Sequence, residues 1–373
     1  MKALFLIFHG FELYNGISKK IHYQVDALKQ CGIDTHLCYI QIDENGHQKR
    51  MIDDQVLENF EYGLKGKIRK WIDYSSILNY INDNNIDFVY IRSYHNANPF
   101  LISFVRQLGR KHIKVVIEIP TYPYDKEYKD CSFGIRLQQF VDKMYRHKLA
   151  KNIFRIVTFS NCKNIFGANT INISNGIDFA AIKMKEATKE ETNILRLISV
   201  AEIHTWHGFD RLLKGLSEYY KTEQEVKVVY DIVGYGDERE IIKLKSYVID
   251  NNLEEYVIFH GPQFGNNLDK LFDNASVGIA SLGRHRSGIT NIKTLKNREY
   301  AARGIPFIYS EVDDDFEQKS YVMKVNADES AISISDIIQF YKRVGVLSPL
   351  EIRNSISDLS WKNQMEIVVS ACK

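Results

Sequence analysis

Short apolar runs alternate with amphipathic stretches along the chain. Residues 3–8 (ALFLIF) are uninterruptedly apolar, as a strand buried on both faces of a parallel sheet requires. Gly10 to Gly16 reads as a turn. Residues 17–31 follow with helical spacing, Ile17, Ile21, Val25 and Leu28 sharing a face, and Gly32 stops the helix. Residues 35–40, 88–91, 115–119 and 156–159 are further strands with helical stretches between them. A second run of the same alternation begins near Leu195, with strands at 197–201, 226–233, 257–259, 277–280 and 307–309. Strands alternating with helices predict right-handed crossovers and parallel sheets. Residues 180–193 are charged and poor in apolar positions, and read as a linker. The expectation is an α/β protein of two doubly wound domains facing across a cleft, at residues 1–178 and 195–357. A last helix is expected near 358–373. Ligands of such sheets bind beyond the carboxyl ends of the strands.

Composition adds limits. The chain has 373 residues, 45% hydrophobic and 26% charged, which suits about two folded domains. No apolar run approaches the ~20 residues that span a bilayer. Lys2 and the run after it lack a small-residue cleavage site, so a cytoplasmic protein is expected. The five cysteines have no CxxC spacing, which favours reduced thiols over a disulfide framework or structural zinc. Net charge is +2, unevenly spread: up to Asn175 there are 24 Lys and Arg against 17 Asp and Glu, and the remainder is acidic. No nucleic-acid-binding motif accompanies the basic half, so no nucleic-acid partner is expected.

The most informative stretch is residues 291–306, NIKTLKNREYAARGIP. Thr294 can cap a helix whose first turn holds Leu295, Lys296 and Asn297. A helix N-terminus beside lysines suits a phosphate. Glu299, a further turn along, could take both hydroxyls of a ribose. Gly304 ends the helix and Pro306 opens the next strand. The same residues also fit an amphipathic helix with its charges in water.

This segment resembles the nucleotide-sugar segment of retaining glycosyltransferases of the GT-B fold, glycosyltransferase family 4. The family pattern is Glu, seven residues, Glu, then a small-residue helix ending Gly-x-Pro. Glu299, Ala301, Ala302, Gly304 and Pro306 match; Asn291 stands where the first Glu belongs. Residues 200–213 resemble the opening of the family's second domain, with Glu202 and His207 where an Arg and a Lys usually meet the donor diphosphate. The resemblance assigns that charge instead to Lys293, Lys296 and Arg286. Gly234, in VGYGDE, is similar to the family's Gly-x-Gly-x-Glu turn, and residues 259–262 to its base-cradling loop. Residues 173–178 resemble its interdomain segment, and Trp361 fits its returning C-terminal helix. Gly16 matches a glycine near the donor phosphate, or is a plain turn glycine. Asn291 with Leu295, Lys296 and residues 298–306 is similar to a subgroup of bacterial surface-polysaccharide synthesis.

The resemblance implies transfer of a sugar from a nucleoside diphosphate sugar, UDP or GDP, to a glycan or a polyprenyl-diphosphate-linked sugar, with retained anomeric configuration. The activity is of hexosyltransferase type, and the pathway is capsule, exopolysaccharide or O-antigen synthesis. No further cofactor is implied. The leaving diphosphate would be stabilised by lysines, arginines and helix amides, with Lys296 foremost. The first domain would hold the acceptor. Glu118-Ile-Pro-Thr-Tyr-Pro-Tyr-Asp125 ends a buried strand, and Thr121, Tyr122 and Tyr124 form a stiff aromatic loop suited to a sugar face. Many family members carry a catalytic His where Pro120 stands. Glu118 is then the nearest acidic candidate, or else a satisfied buried carboxylate. His95 is a second candidate, or a structural histidine. Two basic stretches, 65–71 and 136–151, interleave charge with apolar residues, as for a peripheral membrane contact at the inner face of the cell membrane, or for core-facing helices. Asp313-Asp-Asp315 formally fits a metal-binding Asp-x-Asp, but a solvated acidic loop and no metal are expected. The alternatives are a degenerate non-catalytic subunit, for which Glu202, His207 and Asn291 speak, a two-lobed binding protein, or another GT-B enzyme such as a sugar epimerase.

Overall fold

A computed structural model describes residues 1–11, 16–60, 62–125, 132–186 and 193–373. Most of the 10–16 turn, half of the 180–193 linker and Cys131 lie outside these. The chain divides into two compact units, residues 1–174 with 361–373, and residues 175–360.

The first unit contains β1 (Lys2–Leu6), α1 (Gly16–Gln30), β2 (Asp34–Ile42), β3 (Gln48–Ile52), β4 (Gln55–Asn59), α2 (Leu64–Ile72), α3 (Ser75–Asp83) and β5 (Phe88–Arg92). It continues with α4 (Pro99–Arg110), β6 (Lys114–Ile119), α5 (Phe133–Ala150), β7 (Arg155–Thr158), β8 (Asn164–Ile165) and β9 (Ala168–Asn172). The sheet order is β4-β3-β2-β1-β5-β6-β7-β9-β8. Its centre is parallel, as the apolar runs predict. Its edges are not: β3 and β4 form antiparallel pairings beside β2, and β8 runs antiparallel to β9. Residues 48–59 are polar enough to hide this edge hairpin from hydrophobic patterning.

The second unit contains β10 (Ile194–Ile203), α6 (Phe209–Tyr219), β11 (Lys227–Gly236), α7 (Glu238–Asp250), β12 (Val257–Gly261), α8 (Gly265–Asn274) and β13 (Val277–Ile279). Then come α9 (Leu295–Arg303), β14 (Phe307–Tyr309), β15 (Val322–Lys324), α10 (Ile334–Val344) and α11 (Pro349–Asn354). Its sheet, β12-β11-β10-β13-β14-β15, is parallel throughout. One apolar cluster joins Leu197, Leu212, Leu216, Tyr230, Ile279 and Ile337; another joins Ile198, Val233, Tyr300, Phe307 and Phe316. The last helix, α12 (Trp361–Cys372), belongs to the first unit, where it packs on α1.

Helix α1 departs from a simple apolar stripe. Ile17 is exposed, while Lys20 and Gln24 are buried beside Ile21, Val25 and Leu28. The reason is Glu118, at the carboxyl end of β6 and fully buried. Its Oε2 accepts hydrogen bonds from Tyr90 (2.5 Å) and Gln24 (2.6 Å). Its Oε1 accepts one from Arg92 and lies 3.3 Å from the Lys20 ammonium. That ammonium also sits 3.7 Å from the centre of the Phe159 ring. Burial alone raises a carboxyl pKa; Lys20, Arg92 and the two hydrogen bonds outweigh it and hold Glu118 down to about 2.

Glu118→Gln would leave Lys20 and Arg92 buried without a counter-charge. It is expected to cost ~3–5 kcal/mol in urea denaturation. Because the folded-state pKa is depressed, this stabilisation is present above pH ~4.5 and is lost as pH falls toward 2, so the variant should show a flatter acid limb. An unchanged midpoint would remove Glu118 as the centre of the unit.

Candidate functional site

The carboxyl end of the second sheet gathers polar groups around the start of α9. The helix begins where the sequence predicts. The Thr294 hydroxyl accepts from the Asn297 amide (3.4 Å), leaving the first-turn amides of Leu295 and Lys296 pointing out of the helix end. The helix ends at Gly304, in left-handed conformation. Its depth is set by Tyr300, whose hydroxyl donates to the Ile279 carbonyl (3.0 Å), and by the buried Ala301 and Ala302.

Arg298 fixes the loops on either side of this helix start. Its guanidinium is fully buried and donates to the carbonyls of Asn175 (2.9 Å) and Thr294 (3.0 Å). It also forms a two-point pair with Asp313 (2.5 and 3.1 Å) and contacts Asp315. Asn297 donates to Asp313 as well (3.0 Å). The acidic run is therefore not a solvated loop. Asp313 is fully buried, and it and Asp315 neutralise Arg298. Among the described residues no group of three potential metal ligands occurs.

Two backbone loops close the other side. Gly208 has φ 66°, and a Cβ there would stand 2.7 Å from the Gly283 nitrogen, so the loops after β10 and β13 touch backbone to backbone. The Leu282 amide donates to the His207 carbonyl (2.8 Å). His207 is buried. Its Nδ1 accepts from the His204 amide (3.2 Å), which leaves Nε2 as the donor of a neutral ring. Burial, then the charges of Lys296 and Arg284, drive its pKa well below the ordinary value.

Lys296 and Glu311 are the exceptional groups. The Lys296 stem is half-buried, but its Nζ is out of water, and among the described residues it finds no hydrogen-bond partner. Burial and the Arg284 charge lower its pKa to about 7. Glu311, just after β14, is buried, and among the described residues no other residue donates a hydrogen bond to its oxygens; burial raises its pKa to about 7. Arg284 acts on both charges and lies 5.7 Å from the Trp206 ring centre. An ammonium with no hydrogen-bond partner among the described residues, a neutral histidine donor and helix amides are the groups that reception of an anion requires.

The structure brings His207, Thr294, Leu295 and Lys296 to this place. Lys293 is near but turned to Asp315 (3.7 Å), and Asn291 is exposed, its backbone bridged to Val312. Glu299 accepts from Arg303 (3.1 Å) and stays partly open. Arg286 has its guanidinium paired with Asp210 (2.8 and 2.9 Å) and Glu329 (2.9 and 2.5 Å), and Arg284, two residues earlier, is the cation of this loop that acts on Lys296. Gly234 lies in β11. With φ 138°, its missing Cβ makes room for the Ala201 carbonyl, 1.8 Å from where that atom would stand, so it serves the pairing of β10 with β11.

In the first unit, Gly16 opens α1 at the surface, with nothing near its Cβ position. Glu118 has its acceptor sites filled, as in the second of its two sequence readings. His95 is buried against Tyr124, ring centres 3.8 Å apart, and burial lowers its pKa to about 4. Tyr124 departs from the expected sugar-stacking face: its ring is buried and its hydroxyl donates to Asp142 (2.7 Å). Thr121 and Tyr122 remain half-exposed, with Tyr122 edge-on to Phe166. Sequence reasoning missed Glu311 and Arg284. An acid one residue past an apolar strand, set apart from the Asp313–Asp315 run by Val312, was the available signal for the first. For the second, two arginines two apart gave no basis for choosing between them.

The whole chain is similar to solved structures at low identity. One is Anabaena Alr3699/HepE in complex with UDP, with TM-score 0.65, 13% identity and 100% of both chains covered. A glycosyltransferase from Rickettsia africae ESF-5 has TM-score 0.64 and 12% identity, covering 100% of this chain and 98% of that one. Sucrose-phosphate synthase from Thermosynechococcus elongatus has TM-score 0.60 and 14% identity, covering 99% and 94%. No protein-family model matches the sequence, and no curated protein does. At these identities the likeness establishes the fold, which is GT-B, with two Rossmann-like units.

Lys296→Met removes an ammonium held out of water. Because its folded-state pKa is depressed, the penalty is full below pH ~7 and fades toward pH 10.5, so the variant should gain ~1–3 kcal/mol near pH 6.5 and less at pH 10. Thermal denaturation at the two pH values measures this, and a large loss of stability would show instead that Lys296 holds the fold.

Proposed function

We propose that this chain is a retaining glycosyltransferase resembling family 4, moving a sugar from a nucleoside diphosphate sugar to a glycan or lipid-linked acceptor in bacterial surface-polysaccharide synthesis. The buried, unpartnered Lys296 ammonium beside the α9 amides carries the reading. A similar structure with bound UDP supports it and favours a uridine donor. In this reading the second unit binds the donor and the first binds the acceptor. Negative charge builds on the diphosphate as the bond to the sugar lengthens. Lys296, the Leu295 and Lys296 amides and the His207 Nε2–H stabilise that charge. The leaving phosphate accepts the acceptor's proton on the same face, so the saturated Glu118 has no proton to move. Glu299 takes the ribose hydroxyls.

Thermal-shift titration with UDP-, GDP-, ADP- and TDP-sugars, without added metal, tests the reading. One base should raise the melting temperature selectively. Lys296→Met should weaken that ligand ~10-fold or more, as loss of a charged hydrogen bond does. Affinity should fall as pH rises through 7, where Lys296 loses its charge. A stable protein that responds to none of the four sinks the assignment.

A contact with the inner face of the membrane belongs to the same proposal. Helix α5 exposes Phe133, Leu137, Phe140 and Met144 along one face, Phe133 at 82% and Phe140 at 62%. Arg136, Lys143 and Lys148 border that stripe, and the lone acid of the helix, Asp142, is on the buried side. Such a face complements an anionic bilayer. No described helix is long and apolar enough to cross one. Sedimentation with vesicles containing phosphatidylglycerol should carry the protein down. Phosphatidylcholine alone should not, nor should either vesicle carry Phe133→Ser/Phe140→Ser. Equal recovery of the variant would exclude this face.

A further inference from the structure

The acids that follow β14 have contrasting surroundings. Asp313 and Asp315 hold Arg298. Glu317 accepts from Tyr309 (3.0 Å) and Lys324 (2.7 Å). Glu311 is 2% exposed, and among the described residues no other residue donates a hydrogen bond to either of its oxygens; only its own backbone amide acts on the carboxylate. Its position is rigid. The Val312 amide donates to the Thr290 carbonyl (2.7 Å) and the Ile292 amide to the Val312 carbonyl (2.9 Å), tying residue 311 to the segment that leads into α9.

Lys296 is the complementary case. Its Nζ is also shielded from water and without a partner among the described residues, and each of the two groups acts on the other's charge. The pair makes no salt bridge of its own. Leaving two buried polar groups unmatched costs stability twice over. A single ligand satisfies both if it presents hydroxyl hydrogens to the carboxylate and anionic oxygens to the ammonium. A sugar ring joined to a phosphate has that chemistry. A ribose is the competing source of hydroxyls, and Glu299, further along α9, already faces that role.

Resting on the donor-site reading above, we propose that Glu311 selects the transferred sugar. Its carboxylate accepts hydrogen bonds from ring hydroxyls while Lys296 holds the phosphate attached to the ring. Glu311 is thereby a specificity residue of the donor site, drawn from outside the α9 segment.

Calorimetric titration of UDP, UDP-glucose, GDP and GDP-mannose into the full chain and its Glu311→Gln variant tests this. For the base that binds, Glu311→Gln should weaken the sugar nucleotide ~10-fold or more and the bare diphosphate less than ~threefold. The melting temperature should stay level or rise, because an unmatched buried carboxylate has been removed. If both ligands weaken together, Glu311 touches the ribose or diphosphate, and the proposal is wrong. It is equally wrong if neither weakens. Should Glu311→Gln fail to fold, Glu311→Asp, which withdraws the carboxylate by one methylene, must give the same split. A wild-type chain that binds none of the four ligands overturns the nucleotide reading itself, whereas wild-type binding without the split overturns only the role of Glu311.

Discussion

The buried Arg298 guanidinium is the constraint on which the second unit's site depends. It joins three separate segments: the carbonyls of residues 175 and 294, and the side chains of Asp313 and Asp315 in one loop. None of these is regular structure, and without a common partner each would keep its own conformational freedom. Arginine suits the place because its planar fork satisfies several acceptors at once and stays charged when buried. Two aspartates for one arginine leave the cluster net negative, and Lys293, at 3.7 Å from Asp315, supplies the second positive charge. The start of α9 is thus held from behind by a matched charge cluster, while its front presents unmatched groups.

Buried charge is handled in two opposite ways. Glu118 is surrounded by Lys20, Arg92, Tyr90 and Gln24, and every oxygen is occupied. Glu311 and Lys296 are as thoroughly removed from water yet unmatched. The first arrangement stabilises a fold, and the second keeps polar groups ready at a stability cost. Burial of a carboxylate is therefore uninformative until its partners are counted.

Much of the fold was legible because apolar runs report burial on both faces directly. The strands at 88–91, 115–119 and 307–309 are where those runs stand, and the cap at Thr294 and stop at Gly304 follow from local chemistry. The edge strands β3 and β4 were not legible, because a solvated edge needs no apolar run. Site residues were legible only where local geometry decides their role. Thr294 and Lys296 lie at a helix start that the sequence announces. The distinction between Arg284 and Arg286 depends on Asp210 and Glu329, more than forty residues away in either direction, and no local pattern carries it. Tyr124 turned inward for the same reason, since Asp142 is its partner across the chain.

The backbone contact of Gly208 with Gly283 bears on how such a site can change. The two loops meet with no side chain between them. Their spacing is set at the glycines by the backbone and tied again by Arg286, whose guanidinium donates to the Thr205 carbonyl (2.8 Å), so it depends on how many residues each loop contains. Substitution can retune the ligand preference of this face without moving its frame. Insertion or deletion in either loop separates the glycines and dismantles the face. A library that aims at a new ligand for this face should therefore keep Gly208, Gly283, His207 and Arg286 and hold loop length fixed.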